Sequence, residues 1–302
     1  MNRRQILKSI GLMAIANPFY IKQSLAESNQ PALPKFALNR ITAPHLSLGH
    51  YLELCHTLGI DNIELRNDIA GSEIQNTKDI GQVAKTCQSA NIKVLTVNAL
   101  YPMDIWNDEL KNKAITIAAA AQQLGAKGVV CCPSVEPDDK RSSEEKAAGL
   151  RHSLDALAKI FHDHNVMGYI EPLGFTQSSL RRKKTALQAI SDVGGNDVFR
   201  LVHDTFHHFL AQDPDYFVDM TAIVHISGVD DKNLPIDAIR NEDRTVVDPQ
   251  DIMSNIQQLK ELRKRGYKGD ISHEIFSPNV QNDKNIASRL NTSMEYIRSS
   301  LA

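Results

Sequence analysis

The feature that most constrains the fold is a repeated alternation of short β-rich runs with longer segments of helical periodicity, beginning at Phe36. The runs that we interpret as strands are residues 36–40, 62–66, 93–98, 128–132, 166–171, 199–204, 222–226 and 269–274. Strands that alternate with helices form a parallel sheet, and eight such units favour closure into a (β/α)8 barrel. Because no GxGxxG motif follows the first strand, an open dinucleotide-binding sheet is disfavoured.

The segments between these runs carry apolar residues at steps of three and four, which indicates helices with one buried face. In residues 48–58 the apolar face contains Leu48, Tyr51, Leu52, Cys55 and Leu58. The same periodicity runs through residues 112–124, 144–162, 180–192 and 252–265. Glycine follows three of these segments, at positions 59, 125 and 266, where a left-handed residue is expected to end the helix.

Length and composition agree with one soluble domain over residues 36–302. The chain has 302 residues, 42% of them hydrophobic, and a formal net charge of −2, so it lacks the basic surface expected of a nucleic-acid-binding protein. Its four cysteines, Cys55, Cys87, Cys131 and Cys132, have no CxxC spacing, and we interpret them as reduced. Side chains alternate along a strand, so Cys131 and Cys132 are expected to face opposite ways.

The first 26 residues differ in kind from the rest. Arg3 and Arg4 precede an apolar stretch over residues 10–21, and Ser24-Leu25-Ala26 offers a small-residue cleavage site. The segment resembles a twin-arginine export signal, followed by a linker at 27–35, and it predicts a periplasmic protein. The apolar stretch is too short for the roughly 20 residues of a membrane span. The alternative is a cytoplasmic chain that keeps its leader.

Four ionisable residues stand at or near the ends of the last four predicted strands. These are Glu171, Asp204, His225 and Glu274. The carboxyl ends of barrel strands form the active-site face, so the four side chains are expected to converge there. Three carboxylates and one imidazole suit a divalent ion such as Mn2+, Mg2+, Co2+ or Zn2+. Each residue alone could instead cap a helix or accept a loop hydrogen bond, but the recurrence in consecutive units favours a metal site.

Five short motifs surround these residues, namely residues 171–175 (EPLGF), 201–207 (LVHDTFH), 224–226 (VHI), 243–244 (DR) and 274–276 (EIF). In this order they resemble the motifs of the xylose-isomerase-like barrel superfamily of sugar isomerases and epimerases, and within it those of the inosose isomerases. The resemblance spans residues 36–300. It departs at 226–228 (ISG), where the family often has acids, and at 247–249 (VDP), where it has a glycine turn.

This resemblance implies a fold, a metal and a reaction. It implies that Glu171, Asp204, His225 and Glu274 hold one divalent ion, Mn2+ before Mg2+, Co2+ or Zn2+. The substrate is then a keto sugar or keto-cyclitol, isomerised through a metal-stabilised enediolate. Glu171 and Glu274 serve as acid and base besides holding the metal.

Strands one to three supply further candidates for the substrate pocket. Glu64 and Arg66 are two apart on strand two, so they share a face and are expected to pair with each other near the substrate. A purely structural ion pair is the alternative. Asn39 and Asn98 end strands one and three, where an amide can bind a sugar hydroxyl or cap the following helix.

The loops supply three more candidates. His207, three residues after Asp204, is expected to contact substrate or to occupy a second metal position, and Arg244 resembles the substrate-facing arginine of the family. Trp106 either forms an apolar wall of the pocket or packs like any buried aromatic residue. The basic run at 181–184 is interpreted as a solvated helix face. Strand alternation turns His203 and His273 away from the metal.

Other functions remain open at this stage. The same site could serve a lyase or epimerase of 3-keto sugars, because removing a proton beside a carbonyl also begins β-elimination. An endonuclease of the apurinic-site type shares the barrel but needs a basic surface. A non-catalytic sugar-binding module is the third alternative. For the isomerase, the epimerase and the lyase, the expected partner is a small-molecule substrate, a sugar or a cyclitol. The sequence is also compatible with a homo-oligomer.

Overall fold

The computed structural model describes residues 34–75 and 79–302 and confirms the barrel. Eight parallel strands pair in chain order, and β1 pairs with β8 to close the sheet. They are β1 Lys35–Asn39, β2 Asn62–Arg66, β3 Lys93–Leu100, β4 Gly128–Cys131, β5 Met167–Ile170, β6 Phe199–Asp204, β7 Thr221–Ile226 and β8 Asp270–His273. Every predicted run overlaps one of these strands, with ends that differ by at most two residues.

Helices follow the strands on the outside of the barrel. They are α1 Leu48–Leu58, α2 Ile80–Ser89, α3 Asp108–Leu124, α4 Ser143–Asp163, α5 Lys183–Asp192, α6 Thr205–Leu210, α7 Asn255–Lys264, α8 Pro278–Gln281 and α9 Ile286–Leu301. Helix α1 matches the predicted segment residue for residue. Helix α5 begins three residues later than predicted, because residues 180–182 belong to the preceding loop.

Local sequence explains where several helices begin and end. The Ser47 hydroxyl accepts the His50 amide at the start of α1, and Ser142 and Glu145 form a reciprocal capping box at the start of α4. The three glycines predicted to end helices all have positive φ, namely Gly59 (65°), Gly125 (69°) and Gly266 (101°). The prediction of left-handed backbone after these helices is therefore confirmed.

The buried apolar residues of the described chain form three clusters, one of which is a small group of Phe206, Leu210, Val229, Ile239 and Met253. The largest, the outer layer, lies between strands and helices, while a small inner group fills the barrel with Val130, Tyr169, Val202 and Ile223. Cys131 belongs to the outer layer and Cys132 packs against the inner group, which confirms that they face opposite ways. All four cysteines are free thiols.

The predicted leader at residues 1–26 and nearly all of the linker at 27–35 lie outside the described residues. The predicted start of the barrel at Phe36 falls within β1. Within residues 34–75 and 79–302, none of the helices combines the length and apolar character needed to cross a membrane.

Candidate metal centre

The four predicted ligands converge at the carboxyl end of the barrel interior. Glu171 and Glu274 directly follow β5 and β8, Asp204 ends β6, and His225 lies one residue before the end of β7. Each offers one ligand atom such that all four atoms lie within 4.8 Å of one another. All four residues are buried, with at most 4% of their surface exposed. We call these four residues the metal cluster.

The His225 ring lies between the glutamates of the metal cluster and a fourth carboxylate, that of Glu64. Its Nδ1 is 2.9 Å from Glu171 Oε1 and 3.4 Å from Glu274 Oε2, whereas its Nε2 is 3.0 Å from Glu64 Oε2. Burial alone would lower the pKa of His225, but the surrounding carboxylates raise it well above its ordinary value. The site therefore attracts positive charge strongly.

Two buried arginines hold the carboxylates from the mouth side. Arg244 Nη2 is 2.8 Å from both Asp204 Oδ2 and Glu274 Oε2, and Arg66 Nη1 is 2.7 Å from Glu274 Oε1. The Arg244 guanidinium lies between the rings of Phe206 and Phe276, 4.7 Å from each centroid. Its position is thus fixed by ion pairs and by cation–π contacts on both sides.

The charges of this region fit a divalent cation. Its buried carboxylates, Glu64 and the three acids of the metal cluster, face two guanidiniums, which leaves two negative charges when the imidazole is neutral. Burial raises the pKa of Asp204, and repulsion from Glu274 adds to this effect in spite of Arg244. One divalent ion would relieve that repulsion, and a donor set of three carboxylates and one imidazole is suited to it.

Glu64 does not pair with Arg66, so this expectation is wrong. Arg66 extends past it towards the mouth and binds Asp68 and Glu274 instead. Glu64 has no exposed surface. Its oxygens accept hydrogen bonds from five side chains, which are Asn39, Thr96, Asn98, His225 and Ser272. Direct contact of Glu64 with a substrate stays a prediction.

The two strand-end asparagines donate hydrogen bonds to the buried carboxylate of Glu64. Asn98 Nδ2 donates to Glu64 Oε2 at 3.1 Å, and Asn39 Nδ2 donates to Glu64 Oε1 at 3.2 Å. Asn39 also accepts the Ile41 amide at 3.1 Å and so caps a short 3-10 helix over Arg40–Thr42. The capping alternative is therefore confirmed for Asn39. A contact between Asn98 and a substrate hydroxyl stays a prediction.

His207 lies beside the cluster with one ring nitrogen engaged. Its Nδ1 accepts the Gly174 amide at 3.2 Å, and burial together with the Arg244 charge lowers its pKa to about 3. A neutral ring then carries its proton on Nε2. A side chain at Gly174 would place a Cβ 2.3 Å from the His207 carbonyl oxygen, so only glycine allows this approach.

Trp106 lies in the loop between β3 and α3. Its ring is half-buried and meets His152 of α4 edge-on, with 6.4 Å between centroids. It also packs against the outer apolar layer. These contacts agree with ordinary packing, and its role as a pocket wall stays a prediction.

Cys132 is a residue at the site that the sequence reasoning passed over. Its Sγ is 3.4 Å from Glu171 Oε2, so the thiol can donate to the proposed ligand. Burial and the nearby Glu171 charge raise the pKa of this thiol, so it is protonated at neutral pH. Strand alternation, which predicted that Cys131 and Cys132 face opposite ways, was the signal that could have found it, since one of the two had to face the barrel interior.

The basic run at 181–184 is not wholly solvated, and the interpretation is wrong for Lys183. This side chain is buried, with its Nζ 3.0 Å from Asp213 Oδ2 and 2.8 Å from His208 Nδ1. His203 stacks on Tyr216 beside them, with ring centroids 5.4 Å apart. We call Lys183, His203, His208 and Asp213 the outer cluster, since His203 points out of the barrel as predicted.

Fold and site together define a (β/α)8 barrel whose last four strands present, at their carboxyl ends, four residues that could hold a metal ion. More specifically, the chain belongs to the xylose isomerase-like TIM barrel family, whose model matches residues 52–300. A curated relative, an inosose isomerase of Bacillus velezensis, is 26% identical over 246 residues, which are 78% of this chain and 86% of the relative.

Two solved structures illustrate the likeness of fold. A xylose isomerase domain protein from Salmonella typhimurium is 29% identical, with a TM-score of 0.78 over 88% of this chain and 98% of its own. The IolI protein, solved with a bound zinc atom, is 23% identical, with a TM-score of 0.78 over 89% of this chain and 99% of its own.

Proposed function

We propose that this chain is a divalent-metal-dependent isomerase or epimerase of a keto sugar or a keto-cyclitol such as an inosose. The observation that carries the proposal is the metal cluster, whose four ligand atoms lie within 4.8 Å of one another at the active-site end of the barrel. Membership in the family and the names of the curated relatives support it. Mn2+ is the metal that we propose first.

The bound ion would supply electrostatic stabilisation for the negative charge that develops on the substrate oxygens when a neighbouring carbon loses a proton. Glu171 and Glu274 are the groups that we propose to move this proton. They follow strands that are three places apart, so they approach the cluster from different sides. Each is buried, and exclusion of water strengthens the effect of their charges on a bound substrate.

The surroundings of these two glutamates differ. Glu274 is held by Arg66 and Arg244, whereas the hydrogen-bond partners described for Glu171 are Cys132 and His225. Two guanidiniums fix both oxygens of Glu274 in place. Glu171 is less constrained, so its carboxylate can move more easily along the path of a transferred proton.

Substrate contacts are proposed for the residues that border the cluster. His207 Nε2 can donate to a substrate oxygen, because Nδ1 already accepts the Gly174 amide. Arg66 and Arg244 can orient hydroxyl or carbonyl oxygens as they hold Glu274. Asn98, Trp106 and Glu64 complete the proposed set of substrate-binding residues.

The reaction is tested with purified protein whose metal content is measured. Inososes, free ketoses and 3-keto sugars are incubated in D2O, and the products are followed by NMR. Isomerisation or epimerisation conserves mass and exchanges one carbon-bound hydrogen, whereas elimination releases a fragment. Chelation should abolish turnover, and Mn2+ should restore it. A protein that contains no divalent ion and gains no activity with Mn2+, Co2+, Mg2+ or Zn2+ would contradict the proposal.

We also propose that residues 1–26 direct the enzyme to the periplasm as a twin-arginine signal. Arg3 and Arg4, the apolar stretch that follows and Ala26 support this proposal. A fusion of residues 1–30 to a reporter is expected to be exported, and a fusion with both arginines changed to lysine is expected to remain inside the cell. Retention of both fusions in the cytoplasm would refute the proposal.

A further inference from the structure

Glu64 is a buried carboxylate that lies one layer below the metal cluster. It has no exposed surface, and burying a charge without compensation is costly. Hydrogen bonds replace the lost water: Thr96 Oγ1 donates at 2.6 Å and Asn98 Nδ2 at 3.1 Å to Oε2, while Asn39 Nδ2 donates at 3.2 Å to Oε1. Ser272 also donates to Oε1. These four neutral donors stabilise Glu64 in its ionised form.

The fifth donor is the His225 ring, and it connects Glu64 with the cluster. An ionised carboxylate can only accept hydrogen bonds, so the nitrogen that lies 3.0 Å from Glu64, Nε2, must carry a proton. The other nitrogen lies 2.9 Å from Glu171 Oε1, and a metal ion bound by the cluster would take the place of the proton on that nitrogen and leave the imidazole neutral. That nitrogen, Nδ1, is the one beside Glu171 and Glu274. The ring therefore presents its ligand atom to the cluster and its proton to Glu64.

We propose that Glu64 is a positioning residue that fixes the tautomer and orientation of His225, so that Nδ1 is the metal-binding atom. A carboxylate that accepts the distal N–H of a ligating histidine also makes the ligand nitrogen a stronger donor. In this role Glu64 acts on the metal through His225 and is not itself a metal ligand. This inference rests on the proposed metal-dependent function.

The first test compares Co2+ binding by the full chain and by Glu64→Gln. Glutamine keeps the shape of the side chain and a neutral acceptor but removes the charge. Loss of such a partner weakens metal affinity by about 10- to 100-fold, and the visible absorption bands of bound Co2+ should shift as the ring loses its fixed orientation. Ser293→Ala serves as a control, since it removes a buried hydrogen bond to the Val247 carbonyl in which no residue of the metal cluster takes part.

The outcomes separate the two proposals. If the unsubstituted protein binds no Co2+, the proposed function fails. If it binds Co2+ and Glu64→Gln binds equally well with the same spectrum, the role of Glu64 is overturned. If both Glu64→Gln and Ser293→Ala weaken binding to the same extent, the effect is one of general stability, which also overturns it.

A second measurement needs no change at Glu64, and so it decides the matter even if Glu64→Gln does not fold. In the zinc-loaded protein with 15N-labelled imidazoles, NMR distinguishes a protonated ring nitrogen from a metal-bound one, and His225→Gln assigns the signals. We expect Nδ1 to be bound to zinc and Nε2 to carry a proton that exchanges slowly with water. A zinc-bound Nε2 would overturn the inference.

Discussion

Strand β6 separates two buried polar clusters of opposite character. Asp204 faces the barrel interior and joins the metal cluster, while its neighbour His203 faces outwards and joins the outer cluster. In the metal cluster, carboxylates outnumber the cations that touch them. In the outer cluster, one ammonium group meets one carboxylate, since Lys183 pairs with Asp213.

The difference shows how burial alone fails to identify a functional site. Both clusters are buried, and both contain histidines whose pKa values are strongly shifted. The outer cluster balances its own charges and needs no further partner. The metal cluster carries a surplus of negative charge, which is tolerable inside a protein only with a cation. Unbalanced charge, more than the presence of ionisable groups, marks the site.

The largest expected effect is on kcat, which should fall when the metal cluster is altered and change little when the outer cluster is altered. Glu171→Gln removes a group proposed to move the proton and should lower kcat by about 10²- to 10⁴-fold. Asp213→Asn in the outer cluster should leave kcat of the folded protein within about threefold. Steady-state kinetics on whichever keto sugar or cyclitol the enzyme turns over checks both variants. Similar losses of kcat in the two variants would contradict the claim that only the metal cluster takes part in the reaction.

Stability should show the reverse contrast. Lys183→Met leaves Asp213 buried without its partner, and breaking a buried pair in this way costs about 3–5 kcal/mol. The free energy of unfolding, measured in urea, should fall accordingly, and the double variant with Asp213→Asn should recover much of it. A Lys183→Met protein as stable as the unsubstituted chain would mean that the pair contributes little.

Metal binding should stabilise the protein through only one of the clusters. A ligand at 100 times its dissociation constant adds about 2.7 kcal/mol to the free energy of unfolding. We expect Mn2+ to raise the melting temperature of the unsubstituted chain and of His208→Gln, but not of Asp204→Asn. Thermal unfolding with and without Mn2+ measures this. An increase retained in Asp204→Asn would place the ion elsewhere.

The smallest expected effect is on how the stability of the fold depends on pH in the acidic range. Burial, with a further contribution from the Lys183 charge, lowers the pKa of His208 to about 3 in the folded chain, against about 6.5 when unfolded. The unfolded state therefore binds more protons between these values, so stability is complete above about pH 6.5 and falls as the pH drops towards 3. The slope is at most about 1.4 kcal/mol per pH unit for one histidine.

His208→Gln should make this loss less steep, because glutamine does not titrate and can still accept from Lys183. Urea unfolding at pH 7, 6 and 5 compares the two proteins. Parallel stability curves over this range would show that His208 does not carry the shifted pKa.

Local patterns in the sequence were sufficient for the fold and for the convergence of the four candidate ligands. Strand runs, helical periodicity and terminal glycines depend on neighbours in the chain, and they predicted all eight strands, within two residues at each end, and α1. The convergence of the four residues followed from one rule, that the carboxyl ends of barrel strands meet. Glu171, Asp204, His225 and Glu274 do lie together.

The partners of individual side chains could not be predicted in this way. Arg66 was expected to pair with Glu64, its neighbour on the strand, but it reaches Glu274, which is 208 residues away in sequence. Lys183 was assigned to solvent because it lies in a basic run, yet the loop after α6 brings Asp213 to it. Such contacts depend on which loops fold over a residue, and this is not encoded by local periodicity.

The pairing of β1 with β8 has a consequence for biosynthesis. The last candidate ligand, Glu274, follows the last strand, and an arginine that holds it comes from the second. A nascent chain that has not reached residue 274, or one truncated before it, thus lacks part of the candidate ligand set. Capture of a metal ion by all four residues would therefore report that the barrel has closed.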